Sequence, residues 1–192
     1  PALVLLDLMM PELDGFEVLE AMQEEDLIRG TSVIVLTGQA LTEEDMSRLN
    51  CGVANVLGKG MFTAQETITH VTDALSRKHH PATETHRISL KTIAYLHTHY
   101  NEPISRTEIA SYIGVSERHL SRCFLQEIGL TPTTYLNRLR VKMAKSLLET
   151  KNMSITEIAL EVGFSSGGYF ARIFREEEGV SPREYINQRI AH

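Results

Sequence analysis

The chain has 192 residues, 42% hydrophobic and 23% charged, ordinary figures for a globular protein with room for one or two cores. No run approaches the ~20 apolar residues that cross a bilayer, and no signal-peptide pattern opens the chain, so a membrane protein is not expected. Two distant cysteines, Cys51 and Cys123, offer neither metal spacing nor a disulfide framework, and read as small apolar residues in a reducing cytoplasm.

The net charge of −6 is unevenly spread. Residues 1–76 hold 3 basic and 13 acidic side chains, a net of −10, and residues 77–192 hold 16 and 12, a net of +4. Two modules are implied, the second suited to a polyanionic partner, although so modest a charge does not by itself establish nucleic-acid binding.

In the acidic half, strands alternate with short helices. Ala2 to Leu6 reads as a strand buried on both faces with Asp7 at its tip, and Phe16 to Met22 as a helix with a Val18, Leu19, Met22 face. SVIVL (32–36) and VANVL (53–57) are further strands. Thr42 to Asn50 reads as a helix capped by Thr42 with Asp45 three residues on. A last helix starts at Thr63 with Glu66 completing a capping box, and places Ile68, Val71, Thr72 and Leu75 on one face. This alternation predicts parallel β/α/β layers, in which ligands gather at the carboxyl ends of the strands. Asp7, Thr37 and Lys59 stand at those ends, where an acid, a hydroxyl and an ammonium suit a phosphoryl group.

DLMMPELDG, VIVLTG and VLGKG resemble the last three strand ends of a response-regulator receiver domain. The resemblance implies a flavodoxin-like partial receiver with its first strands missing. It makes Asp7 the phosphoacceptor, Thr37 and Lys59 the holders of the phosphoryl oxygens, and the Met9 carbonyl with Asp7 a pair of ligands in an incomplete Mg²⁺ site. The family's acidic pair lies in the missing first strands, so Mg²⁺ is expected only in a complete receiver and no cofactor in this chain. Three departures stand out. Gly60 follows Lys59 where proline is usual, Val56 replaces the family's aromatic, and the chain opens in mid-domain, as the tail of a longer protein would.

RKHHPATETH (77–86) is charged and proline-broken and is expected to be a linker. Its His79, His80 and His86 suit solvent better than a metal. Residues 87–192 then form a second domain containing an internal repeat. Residues 105–137 match 154–187: Glu108 pairs with Glu157, Gly114 with Gly163, Phe124 with Phe174 and Tyr135 with Tyr185. Each copy opens on an S-x-x-E capping box, runs a short helix to a glycine, turns, and starts a second helix whose Leu120 and Phe124, or Phe170 and Phe174, point inward. That layout is helix-turn-helix, over 105–129 and 154–179. The exposed starts of the second helices are Glu117, Arg118, Ser121 and Arg122, and Ser166, Gly167, Gly168, Ala171 and Arg172. These would face base edges.

A helix over 131–150, opened by Thr131-Pro132, joins the copies. At ~1.5 Å per residue it spans ~30 Å, near the ~34 Å between successive major-groove faces. Leu136, Leu139, Met143 and Leu147 would line its inner face, leaving Arg138, Lys142 and Lys145 for solvent or phosphates. Tyr135 and Tyr185 read as core aromatics, Glu176 to Glu178 as a solvated face, and His119 as either packing or a phosphate contact.

GVSERHLSRCF, GLTPTTYLNRLRVKMAKSLL, SITEIALEVGF and GVSPREYI resemble the DNA-binding domain of AraC/XylS transcription regulators, over residues 88–190. The resemblance implies an all-α double helix-turn-helix domain binding promoter DNA, with RNA polymerase and a sensor kinase (or a kinase domain of the same protein) as partners. It also implies a cytoplasmic location. An open strand edge at Ala2–Leu6 points to self-association as a homodimer. The expected function is a sequence-specific transcription regulator, not an enzyme, whose receiver-like module is controlled by aspartyl phosphorylation in the full-length protein. The rival reading is a degenerate receiver serving only dimerisation or docking. A stand-alone phosphotransfer enzyme would need a complete metal site.

Overall fold

The computed structural model describes residues 1–10, 14–24, 31–38, 41–49, 53–76, 83–150 and 153–190. Three strands, β1 (Leu3–Asp7), β2 (Ser32–Thr37) and β3 (Val53–Gly58), form a parallel sheet in sequence order. They alternate with helices α1 (Gly15–Glu24), α2 (Glu43–Leu49) and α3 (Ala64–Ser76), as the pattern of apolar runs predicts. Register places Asp7 opposite Leu36 and Thr37 opposite Gly58, so all three strands end along one edge. The expected caps form. Thr42 Oγ1 accepts from the Asp45 amide, and the Thr63 and Glu66 side chains each accept the other's backbone N–H.

Two apolar expectations fail here. β1 is not buried on both faces: Leu6 points into the core, but Leu5 is 51% exposed. The reason is position, because α3 packs over β2 and β3; on the same face of the first strand Leu3 still packs against that cluster, while Leu5 is left open. α3 also turns differently from its apolar count. Ala74 is buried and Val71 half-buried, while Ile68 and Leu75 are both more than half exposed. The inward row is thus 67, 70, 71 and 74, which keeps a helical i, i+3, i+4, i+7 spacing with a weaker apolar content.

The second half is helical: α4 (Glu84–His99), α5 (Arg106–Ile113), α6 (Glu117–Ile128), α7 (Pro132–Thr150), α8 (Ile155–Glu161), α9 (Gly167–Glu178) and α10 (Pro182–Ile190). α4 begins within the stretch expected to be linker, because Thr83 caps it by accepting from the His86 amide. His86 is therefore a helix residue, buried and bonded at 2.9 Å through Nδ1 to Glu127. His79, His80 and Cys51 lie outside the described residues. Cys123 is buried as expected.

The repeat seen in sequence is a repeat of packing. Phe124 meets Tyr135 edge-on with ring centres 5.5 Å apart, and Phe174 meets Tyr185 the same way at 5.5 Å. Ser105 and Ser154 form complete capping boxes with Glu108 and Glu157. Between the copies lies a feature the sequence did not announce. Arg140, on α7, is 7% exposed and donates from Nε and Nη2 to the carbonyls of Tyr100 and Glu102, each at 2.7 Å. Gly163, at φ +90°, fits against the same turn, where a Cβ would come within 2.6 Å of the Tyr100 carbonyl oxygen. The α4–α5 turn is thus clamped between the long helix and the second unit.

Candidate nucleic-acid interface and acidic strand edge

Ser116 and Ser166 set the starts of the two candidate reading helices, each hydroxyl accepting the amide three residues on. Leu120 and Phe124, or Phe170 and Phe174, are fully buried, which turns the opposite face of each helix to solvent. On α6, Arg118 and Arg122 are exposed and Ser121 is half-exposed. Arg122 Nη2 lies 3.0 Å from His119 Nδ1, and His119 also rests beside the Cys123 sulfur. Glu117 is partly committed to structure, since it accepts from the Thr107 hydroxyl at 2.6 Å.

α9 presents a different surface. Ser166 and Gly168 are exposed and Ala171 half-exposed. Arg172, the charged member, is paired at 2.6 Å with Glu176 one turn on and sits 5.2 Å over the Tyr169 ring. Gly167 occupies the place of Glu117, and Thr156 the place of Thr107. A Cβ at Gly167 would come within 3.0 Å of the Thr156 hydroxyl, whereas one at Gly168 would meet nothing within 4 Å. Close approach of α8 and α9 thus replaces the hydrogen bond of the first copy. The alignment of the two copies held that signal.

At the sheet edge, Lys59 Nζ donates to one Asp7 oxygen and the Met9 amide donates to the other at 3.0 Å. The Lys59 hydrogen bond, then the Met9 amide, hold the Asp7 carboxyl below its ordinary range. Thr37 is buried, and its carbonyl accepts from the Lys59 amide at 2.6 Å. The three predicted residues therefore share one edge, with Asp7 and Lys59 in contact. Gly60, the residue in place of the usual proline, has φ +74°; a proline, locked near −65°, would not take that turn.

The donor set does not fit a divalent cation. Among the described residues Asp7 supplies the carboxylate of this edge, and both its oxygens are already engaged, where Mg²⁺ needs near-octahedral oxygen ligands. No group of three or more His, Cys, Asp or Glu is placed to hold a metal among the described residues.

Arg138, Lys142 and Lys145 of α7, expected to be left for solvent or phosphates, are instead engaged by protein groups. Arg138 forms a two-pronged pair with Glu66 of α3, both contacts 3.0 Å, and donates to the Met61 carbonyl. Glu177 of α9 lies 2.9 Å from Arg138 Nε, an ion pair without an aligned N–H. Lys145 pairs with Glu178 at 2.7 Å, and Lys142 reaches the Gly38 carbonyl at 3.2 Å. Of the expected solvated face, Glu176 and Glu177 are exposed and Glu178 is half-buried, and Glu177 and Glu178 also serve as ion-pair partners. The acidic module sits on this helix, and one apolar core runs from Leu6, Val33 and Met61 to Ile93, Phe124 and Leu139.

Residues 1–72 match the response regulator receiver domain, and residues 109–188 match a helix-turn-helix domain. The second half is 31% identical to the DNA-binding domain of AdpA, a global transcriptional factor solved with a target DNA. That likeness covers 53% of this chain and 91% of that one, with a TM-score of 0.51. The chain belongs to the AraC family of transcription regulators.

This AraC-type domain follows a partial receiver, a three-strand parallel α/β part. The family is one of regulators, not enzymes. Among its relatives, the activator RhaS of Escherichia fergusonii is 45% identical over 99 residues, 52% of this chain. The chain covers 36% of the length of RhaS. The C-terminal domain of AraT, a response regulator from Geobacillus stearothermophilus, is 29% identical, with 55% of this chain and 88% of that one covered at a TM-score of 0.52. No described helix is long and apolar enough to cross a membrane.

Proposed function

We propose that this chain is a sequence-specific DNA-binding regulator that reads two consecutive major-groove segments, chiefly through α6, from the cytoplasm. The observation that supports this most is the pairing of two helix-turn-helix units across the 19-residue α7, with Arg118 and Arg122 exposed on the first reading helix. Arginine pairs bidentately with guanine O6 and N7, so this helix carries the sequence information. α9, with glycines at its start and Arg172 held by Glu176, supplies phosphate and backbone contacts. The test is selection of binding sites from random duplexes by the full chain, followed by footprinting. The expected result is one preferred sequence element and protection extending over a second element ~10 base pairs away. Binding without sequence preference, or protection of a single groove segment, refutes it.

The receiver part acts, on this proposal, through aspartyl phosphorylation in the full-length protein. An Asp7 oxygen would attack the phosphorus of a phosphodonor, forming an O–P bond as the donor's own bond breaks and its electron pair leaves with the donor. Support comes from the partly exposed Asp7 carboxylate, ionised and in contact with Lys59, beside Thr37.

A second reading, a module that only docks, is favoured by the Arg138–Glu66 pair and the shared core. Labelling of Asp7 in the full-length protein that alters DNA affinity supports phospho-control. Labelling without that effect, or none, leaves docking as the role. Glu66→Gln should then loosen the module, read as faster amide exchange along α3 and α7.

A further inference from the structure

The residues around Gly38 belong to both halves of the molecule. A Cβ added to Gly38 would lie 3.9 Å from Lys59 Cδ, so the Lys59 side chain passes over this residue on its way to Asp7. From the other side, Lys142 Nζ donates to the Gly38 carbonyl at 3.2 Å. Gly38 directly follows Thr37. The strand edge that holds Asp7 and Thr37 is therefore bracketed by two ammonium groups, one from each module, beside the Asp7 carboxylate. Lys142 is half-buried, and its pKa is lowered first by that burial and then by the charge of Lys59. Of the three cations on this face of α7, Arg138 and Lys145 have carboxylate partners, and Lys142 has a backbone carbonyl.

We propose that Lys142 is a positioning residue of this anion site, the contact through which the charge on the Asp7 side chain is felt by α7. With Asp7 as a carboxylate, Lys59 is neutralised and Lys142 stays on Gly38. With a dianionic acyl phosphate in its place, two ammonium groups instead of one are available to the added oxygens, and α7 is drawn toward the sheet edge. Since α7 carries both reading units, that pull alters their placement. The second half of this inference rests on phosphorylation of Asp7, while the first does not.

The first half is tested on the full chain by timed acetylation with a lysine-reactive ester, read residue by residue by mass spectrometry. Asp7→Asn leaves Lys59 unneutralised, which repels Lys142 from Gly38. Its acetylation should speed up severalfold while that of Lys145 holds steady. Adding Lys59→Met to Asp7→Asn should restore the slow rate. An unchanged Lys142 rate, or a rise shared equally by Lys145, overturns the inference.

The second half uses the full-length protein with acetyl phosphate and Mg²⁺. Lys142→Met should still be labelled on Asp7 but lose the label-dependent change in DNA affinity. If Lys142→Met responds like wild type, the inference fails alone. If Asp7 takes no label, the phosphorylation reading and the second half fail together, and the acetylation result still decides the first.

Discussion

Replacing Arg140 with methionine tests whether the clamp between the two helix-turn-helix units is structural. Its guanidinium is buried and makes two 2.7 Å bonds to backbone carbonyls, and burial lowers its pKa, with no carboxylate partner among the described residues to offset the cost. A hydrogen bond to a charged donor contributes about 1.5–3 kcal/mol, so the two together contribute about 3–6 kcal/mol. Methionine keeps most of the apolar stem, loses the guanidinium that sits 5.6 Å over the Phe164 ring, and removes the burial cost of the charge, which returns part of that sum. The expected net loss is about 2–4 kcal/mol, or on the order of 10–20 °C in the melting of a domain of this size. Arg140→Lys should fall between, because one ammonium does not reproduce a fork aimed at two carbonyls. The assay is thermal and urea unfolding of the full chain by circular dichroism, with near-ultraviolet tyrosine signals reporting the helical half. A loss below ~1 kcal/mol for Arg140→Met would show that water replaces the guanidinium at the Tyr100 and Glu102 carbonyls, and the clamp argument would fall.

Three further outcomes follow from the same geometry. Arg122→Ala should relax the selected sequence at one or two base pairs by ~1–3 kcal/mol, and a wild-type preference in that variant would move sequence reading elsewhere. Gly168→Ala should leave the selected sequence unchanged and add up to ~1 kcal/mol to stability, while Gly167→Ala should gain less or lose, since its Cβ must displace Thr156; equal gains in urea unfolding would contradict the close approach of α8 and α9. His97 is buried against Tyr135, and burial, then the charge of Lys142, lower its pKa to about 4 from 6.5. Because the folded pKa is the lower one, its contribution is present above pH 6.5 and is lost as pH falls toward 4, on the order of 3 kcal/mol; His97→Gln should flatten that part of the stability profile, and an equally steep profile would assign it to other groups.

Local signals carried far along this chain. Capping boxes at Ser105, Ser154 and Thr63 mark helix starts because the donors they satisfy lie within three residues, and the β/α alternation and the repeat are likewise short-range or self-referential. The residues that depend on distant partners were not legible. Arg138, Lys142 and Lys145 have the spacing of a solvated helix face, and their acceptors lie 33 to 104 residues away in sequence. Ile68 and Leu75 look like core residues until α3 is set down on Ala74 and Val71. α4 gave little warning, because its buried face includes Ser89, Thr92 and His97, which dilute the apolar period. At the strand edge, Asp7, Thr37 and Lys59 were readable from position alone, but the approach of Lys142 from the other module was not.

The two helix-turn-helix units have the same fold and different attachments, and the difference bears on how the molecule works. Among the described residues the first unit keeps Arg118 and Arg122 free of carboxylates, and it braces its reading helix internally, through Thr107 and Glu117. The second spends Arg172 on Glu176 and ties the far end of its helix to α7, through Glu177 to Arg138 and Glu178 to Lys145. Arg138 is at the same time the residue that grips Glu66 of the receiver part. α3 is therefore linked to α9 through charged side chains in direct contact, Glu66 to Arg138 to Glu177. On the proposed function, sequence choice resides in the first unit, and the receiver part sets whether the second can join it on the duplex. Arg138→Met would separate these properties: it should leave the sequence selected by α6 unchanged while weakening the second protected segment in a footprint. Loss of sequence preference with both segments still protected would reverse the assignment.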